Sequence, residues 1–222
     1  TQAGNSVECG GIHYDLGNAE TKNFDAGFKD YESGKIDGIV WLDTNYDGIR
    51  DTNEKIADKD NLTDNEKLLE KIKAQIKGYY YDDGKWHDAS ASGAKVQWTV
   101  DNVELKLADD GYYHYTFKNL PTELQDSNGN TYLMGYKVTL DEKSIDKTLK
   151  PTLSYQTTSD QDSDLVKRSG NYALMKKDDY VITAKKLSDT DDKHKGTLKT
   201  VGDNTYDLLQ HQNINNYDAG LT

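Results

Sequence analysis

Gly38-Ile39-Val40-Trp41-Leu42-Asp43-Thr44-Asn45-Tyr46-Asp47-Gly48-Ile49-Arg50-Asp51-Thr52-Asn53-Glu54 is the stretch from which the fold is read. Its second part, Asp43 to Glu54, meets the pattern D-x-[DN]-x-[DN]-G-x5-E at every constrained position. Each position has a task in holding a hard cation. Asp43, Asn45 and Asp47 offer oxygens at alternate residues, and Gly48 permits the sharp turn. Ile49 supplies a backbone carbonyl, Asp51 takes the water-mediated ninth position, and Glu54 closes the shell with both oxygens. Four carboxylates crowd this loop, and at an effective dielectric near 20, unit charges ~5 Å apart repel by roughly 3 kcal/mol. A cation relieves that repulsion, so the loop is expected to bind Ca2+.

The first part of the stretch is not the helix that precedes such a loop in EF-hand proteins. Ile36, Gly38, Ile39, Val40, Trp41 and Leu42 form a short β-branched and aromatic run, which reads as a strand. A calcium loop following a strand puts the chain in a β fold. The rest of the sequence agrees with that reading. Strands are expected at 96–100, 103–107, 112–117, 132–140, 171–175, 180–185 and 214–221, with another through Ile72, Ala74, Ile76 and Tyr79-Tyr80-Tyr81. Turn chemistry separates them at Asp82-Asp83-Gly84, Asp109-Asp110-Gly111, Asn128-Gly129-Asn130 and Gly202-Asp203-Asn204. Thr63-Asp64-Asn65-Glu66 is a capping box ahead of Lys67-Leu68-Leu69-Glu70-Lys71-Ile72, so a short helix is expected there. Many short strands with one brief helix predict an all-β, antiparallel β-sandwich with a short inserted helix.

The chain has 222 residues, 34% of them hydrophobic and 30% charged, with 16 Tyr and 3 Trp supplying amphipathic bulk. That composition suits a folded, very polar β protein rather than a disordered chain. The net charge of -12 disfavours nucleic acid and anionic membrane surfaces as partners, because both are polyanions. No apolar run approaches the ~20 residues of a membrane-spanning helix, so membrane insertion is not expected. Neither an initiator Met nor a signal peptide is present, which predicts a piece of something longer. The single cysteine, Cys9, excludes an internal disulfide and reads as an inert thiol.

An internal echo concerns domain organisation. Asn23-Phe24-Asp25-Ala26-Gly27-Phe28 returns at the end as Asn216-Tyr217-Asp218-Ala219-Gly220-Leu221. If the hexamer closes a module, residues 1–28 are the C-terminal end of a preceding module or a linker, and 29–222 are one complete module of a tandem array.

Asp160, Asp162 and Asp164 place three carboxylates at alternate positions and are a second candidate calcium site, with a solvated acidic loop as the alternative. Tyr79, Tyr80, Tyr81 and Trp86 are expected to pack on a sheet, since alternate strand residues face opposite sides. Catalysis finds little support. His13, His87, His114, His194 and His211 lie far apart, and neither H-E-x-x-H nor G-x-S-x-G occurs, so the chain is not expected to be an enzyme.

The segment from Gly38 to Glu54, the segment Asp109-Asp110-Gly111-Tyr112-Tyr113-His114-Tyr115-Thr116-Phe117-Lys118-Asn119-Leu120-Pro121, and the terminal Tyr217-Asp218-Ala219-Gly220-Leu221 occur in an order that resembles the B-repeat modules of serine-aspartate-repeat surface proteins of Gram-positive bacteria, relatives of the collagen-adhesin B-type fold. The resemblance implies an Ig-like β-sandwich with prealbumin-like topology that binds several calcium ions. In that family, tandem modules form a stalk between a ligand-binding head and the cell wall. It implies calcium ligands at Asp43, Asn45, Asp47, Asp51 and Glu54, and it matches Asp160-Gln161-Asp162-Ser163-Asp164 to an acidic segment late in the module. The collagen-adhesin relatives also join a first-strand Lys to a last-strand Asn, for which Lys35 and Asn213, Asn215 or Asn216 have the residue types. Apparent insertions lie at 55–70 and 140–213. The implied function is a calcium-stabilised structural or spacer module of an extracellular, cell-wall-anchored adhesin stalk, with neighbouring modules as partners. The alternative is an adhesive module that recognises a host or microbial ligand through its insertions.

Overall fold

The computed structural model describes residues 7–9, 12–14, 33–156, 160–168, 171–174, 180–188 and 196–222. Contacts divide the chain into two units, Thr1–Asp30 and Tyr31–Thr222. Within the first, β1 (Val7–Cys9) and β2 (Ile12–Tyr14) pair antiparallel with Glu8 opposite His13. The hexamer Asn23–Phe28 and its expected role as a closing strand lie outside the described residues.

The second unit is an antiparallel β-sandwich. Its strands are β3 (Ser33–Leu42), β4 (Lys73–Asp82), β5 (Lys85–Asp88), β6 (Asp101–Glu104), β7 (Lys106–Leu107), β8 (Tyr113–Pro121), β9 (Glu123–Gln125), β10 (Thr131–Leu140), β11 (Leu165–Arg168), β12 (Asn171–Leu174), β13 (Ala184–Lys186), β14 (Leu198–Val201), β15 (Asn204–His211), β16 (Asn213–Ile214) and β17 (Ala219–Leu221). The first sheet runs β11-β12-β10-β4-β5, with β6 also on β4 and β9 on β10. The second runs β16-β3-β8-β7, with β17 also on β3. Among the described strands every pairing is antiparallel except that β16 and β17 lie parallel to β3.

Side-chain alternation builds the core between the sheets. On β3, Ile36 and Val40 are buried, and on β4, Ala74, Ile76 and Tyr80 are. They meet Tyr115 and Phe117 of β8 and Met134, Tyr136 and Val138 of β10 in one cluster. Each fully buried aliphatic or aromatic side chain contributes about 1.5–3 kcal/mol, so this layer carries most of the fold's stability. Two inward glycines exist because something else fills their place. A Cβ on Gly38 would lie 1.9 Å from the Tyr217 carbonyl oxygen, and one on Gly78 2.7 Å from the Trp98 ring.

The capping box forms as expected. Thr63 Oγ1 accepts from the Glu66 amide at 3.3 Å and Glu66 Oε2 accepts from the Thr63 amide at 2.6 Å, opening α1 (Asp64–Leu69). Four expected strands differ: that at 180–185 is confined to β13, Ala184–Lys186, that at 214–221 is split into β16 and β17 around irregular 215–218, and two others change more. Residues 96–100 are irregular, because Val96 and Trp98 fill the core from a loop whose Trp98 amide donates to the Ala89 carbonyl at 2.9 Å. The strand expected at 103–107 breaks at buried Leu105: β6 pairs with β4 in the first sheet and β7 with β8 in the second.

The long insertion folds back onto the sandwich. Strands β13, β15 and β14 form a third sheet, and its Ala184, Tyr206 and Leu208 cluster with Leu133, which points from β10 away from the main core. Tyr79, Tyr81 and Trp86 lie on that outer face, where Trp86 stacks on Tyr180 at 4.6 Å while Tyr80 joins the inner core. Among the described residues no helix is long and apolar enough to cross a membrane.

Candidate functional site

Where β3 ends, Asp43 enters the loop with only 1% of its surface exposed. Its Oδ1 accepts from the Tyr46 amide at 2.7 Å and its Oδ2 from the Gly48 amide at 2.8 Å and from the Thr152 hydroxyl. These bonds curl the chain around the carboxylate. Tyr46 and Gly48 take positive φ values of 65° and 79°, a conformation that glycine adopts at little cost and tyrosine does not.

Asn45, Asp47 and Asp51 converge on the exposed side. The Asn45 Nδ2 donates to Asp47 Oδ2 at 2.9 Å and to Asp51 Oδ2 at 3.1 Å, so an amide nitrogen supplies partial positive charge between two carboxylates. Asp47 Oδ1 accepts from the Ile49 amide at 2.8 Å. Glu54 closes the loop from a short 3-10 turn, Thr52–Glu54. Its Oε1 accepts from the Thr44 amide at 2.7 Å and its Oε2 from the Asp51 amide at 3.0 Å. Burial pushes the Glu54 carboxyl pKa up against those bonds, and the nearby Asp43 charge adds to the rise.

The loop oxygens are thus turned largely onto the loop's own amides. Among the described residues, no three His, Cys, Asp or Glu side chains form a ready metal-ligating group. The donor set is nevertheless all oxygen, which suits calcium or magnesium rather than softer metals. The Asn45 amide nitrogen stands between the Asp47 and Asp51 carboxylates.

The second acidic segment lies beside the first. Asp162 bridges antiparallel to Ile49, through bonds from the Arg50 amide to the Gln161 carbonyl at 2.7 Å and from the Ser163 amide to the Gly48 carbonyl at 2.9 Å. This pairing leaves the Ile49 backbone groups facing the loop. Asp160 is exposed, Asp162 half-buried, and Asp164 buried, its Oδ2 accepting from the Asp218 amide at 3.2 Å. The three carboxylates therefore occupy three different environments.

No family model matches the sequence, and no curated protein matches it.

Sequence reading missed the residues that tie this loop to the end of the chain. The Asp43 amide donates to the Leu221 carbonyl at 2.7 Å, and Thr152 bonds Gly220 through its backbone amide at 3.1 Å. Arg50 reaches from the loop to buried Asp218, whose Oδ1 also accepts from the Ile39 amide at 2.8 Å. Arg50 further lies 5.3 Å from the Tyr112 ring centroid, and the Tyr112 hydroxyl donates to the Asp51 carbonyl at 2.7 Å. The available signal was the repeated Asp-Ala-Gly of the terminal hexamer, which marks Asp218 without naming its partner.

Proposed function

We propose that residues 31–222 form a calcium-stabilised spacer module of a bacterial cell-surface protein, standing outside the cell in a tandem array. The observation that carries this reading is the stitching of the Asp43–Glu54 loop to the last strand, through the Asp43 amide on Leu221 and Arg50 on Asp218. A metal that orders this loop also orders the strand by which the chain leaves the module. Asp43, Asn45, Asp47, Asp51, Glu54 and the Ile49 carbonyl would hold the ion, and Asp162 stands next in line. The bound metal supplies charge neutralisation, not chemistry on a substrate.

The folded-back insertion favours a spacer over adhesive display by the insertions, because most of its described apolar residues are buried, Ile145, Leu149, Leu165, Leu174 and Val181 in the main core and Ile182, Ala184, Tyr206 and Leu208 on Leu133, while Leu153, Tyr155 and Leu198 stay exposed. The resemblance to serine-aspartate B-repeats points the same way. Thermal melts in calcium and in EDTA test the reading. If millimolar calcium exceeds the dissociation constant 100-fold, linkage gives roughly 2.7 kcal/mol of stabilisation. Coincident melts, with no ion in the 43–54 loop of a crystal grown in calcium, reject it.

A further inference from the structure

The side of the sandwich opposite the insertion has an open edge. Strand β8 is covered on one flank by β3 along its whole length, but on the other β7 pairs only with Tyr113 and His114. From Tyr115 to Lys118 no strand among the described residues is hydrogen-bonded to that flank, although β6 passes beside it. The left-handed Asn119, with φ 56°, then puts a bulge into β8, which continues to Pro121. Over this extended stretch of about 13 Å, the backbone groups that alternate away from β3 have no strand hydrogen-bonded to them.

A groove of about 510 Å³ runs along this edge, lined by Val103 and Glu104 of β6, Lys106 of β7, and His114, Tyr115, Thr116 and Lys118 of β8. Its charge departs from that of the chain, which carries -12 in total. Glu104 is engaged by Lys73 at 3.6 Å, and His114 by Asp110 at 2.9 Å. Lys106 and Lys118 are exposed and have no carboxylate partner among the described residues. Two free ammonium groups therefore flank a free strand edge in an otherwise acidic molecule.

We infer that this edge is a docking site for an extended acidic peptide segment, added as a further strand on β8. Main-chain bonds to the outward-facing backbone groups between Tyr115 and Lys118 supply the pairing, and Lys106 and Lys118 select carboxylate side chains at alternate positions of the guest. The same lysines repel a second copy of this edge, since edge-to-edge pairing would bring like charges together. The occupant is thus acidic and unlike the edge itself. This inference is independent of calcium at the Asp43–Glu54 loop.

The test is a titration of the whole 222-residue chain, labelled with nitrogen-15, by a peptide of alternating threonine and glutamate. The control peptide carries lysine in place of glutamate. Amide shifts are expected at 113–118 and 106–107, weakening as salt is raised, and absent with the lysine peptide. Lys106→Glu with Lys118→Glu weakens the affinity roughly tenfold, and because both side chains are exposed the remaining spectrum is unchanged. Absence of shifts at this edge, equal binding of both peptides, or a doubling of molecular mass without peptide overturns the proposal. The last outcome would assign the edge to a second copy instead.

Discussion

Arg50 and Asp218 stand 168 residues apart in sequence and meet with Nη1 2.7 Å from Oδ2. Their side chains are only 12% and 1% exposed. Asp218 lies in the last segment of the chain and Arg50 in the loop after the first strand of the sandwich, so one ion pair closes the fold on itself. Removing one partner of such a buried pair leaves the other uncompensated, at a cost of about 3–5 kcal/mol. Arg50→Met is expected to lose that much in denaturant unfolding. Arg50→Met combined with Asp218→Asn should recover part of it, and strict additivity of the two single losses would show that the pair is not coupled.

The loop carboxylates should separate by role. Asp43 holds the Tyr46 and Gly48 amides and the Thr152 hydroxyl, so Asp43→Ala is expected to destabilise both in calcium and in chelator, by about 1–3 kcal/mol in chelator. Asp51→Ala leaves the Asn45 amide with Asp47 still to meet and should cost little in chelator while reducing the calcium-dependent gain. Thr52→Ala should change neither. Melts of the three variants with and without calcium check the ranking.

Asp126 predicts an acid-sensitive hairpin. The Asn130 side chain, the backbone amides of Asn130 and Asn128, and the Tyr132 hydroxyl all donate to its carboxylate, and together they lower its pKa from 3.8 to about 2. A depressed carboxyl pKa contributes stability that is present above 3.8 and is lost as pH falls towards about 2. Amide exchange in the turn between β9 and β10 should therefore accelerate across that window. Asp126→Asn should abolish the pH dependence.

Lys35 and Asn213 are register partners in the parallel pairing of β16 with β3, yet Lys35 forms an ion pair with Asp37 and its side chain is 37% exposed. Condensation of the amine with an amide needs a dry site, and this surface does not offer one. Intact mass spectrometry is expected to give the full mass of the chain. A deficit of one ammonia would reverse that expectation.

Gly38 admits no side chain, because the Tyr217 carbonyl and the Tyr115 hydroxyl stand 1.9 and 2.7 Å from where a Cβ would be. Gly38→Ala must push the terminal segment off β3, and overpacking of this kind costs typically 1–3 kcal/mol. Faster proteolysis within 213–222 than in the parent chain is the expected readout.

Local chemistry was well marked in the sequence, and pairing over distance was not. The Thr63 capping box, the turn at Asp82-Asp83-Gly84 and the strand leading into Asp43 each depend on a few adjacent residues, and each formed. Residues 198–211 were recognised only by their turn, because β14 and β15 gain their register from each other and from β13 rather than from a strong alternating pattern. The crossing at Leu105 was hidden for a related reason. A strand that changes sheets keeps its period and changes only its neighbours, which periodicity does not record. In the candidate site, Asp43, Asn45, Asp47, Asp51 and Glu54 were legible from spacing, whereas Arg50, Thr152 and Asp218 were not, since their roles arise from contacts at least 100 residues away.

The parallel pairing of β17 with β3 has a mechanical consequence. Here the first strand of the sandwich and the last lie side by side and run the same way, with Ala219, Gly220 and Leu221 opposite Val40, Trp41 and Leu42. Tension applied through the two ends of this unit would pull these strands past each other along their length. The ladder bonds would then be loaded together in shear instead of opening one at a time, and Arg50 would brace the strand that has to slide.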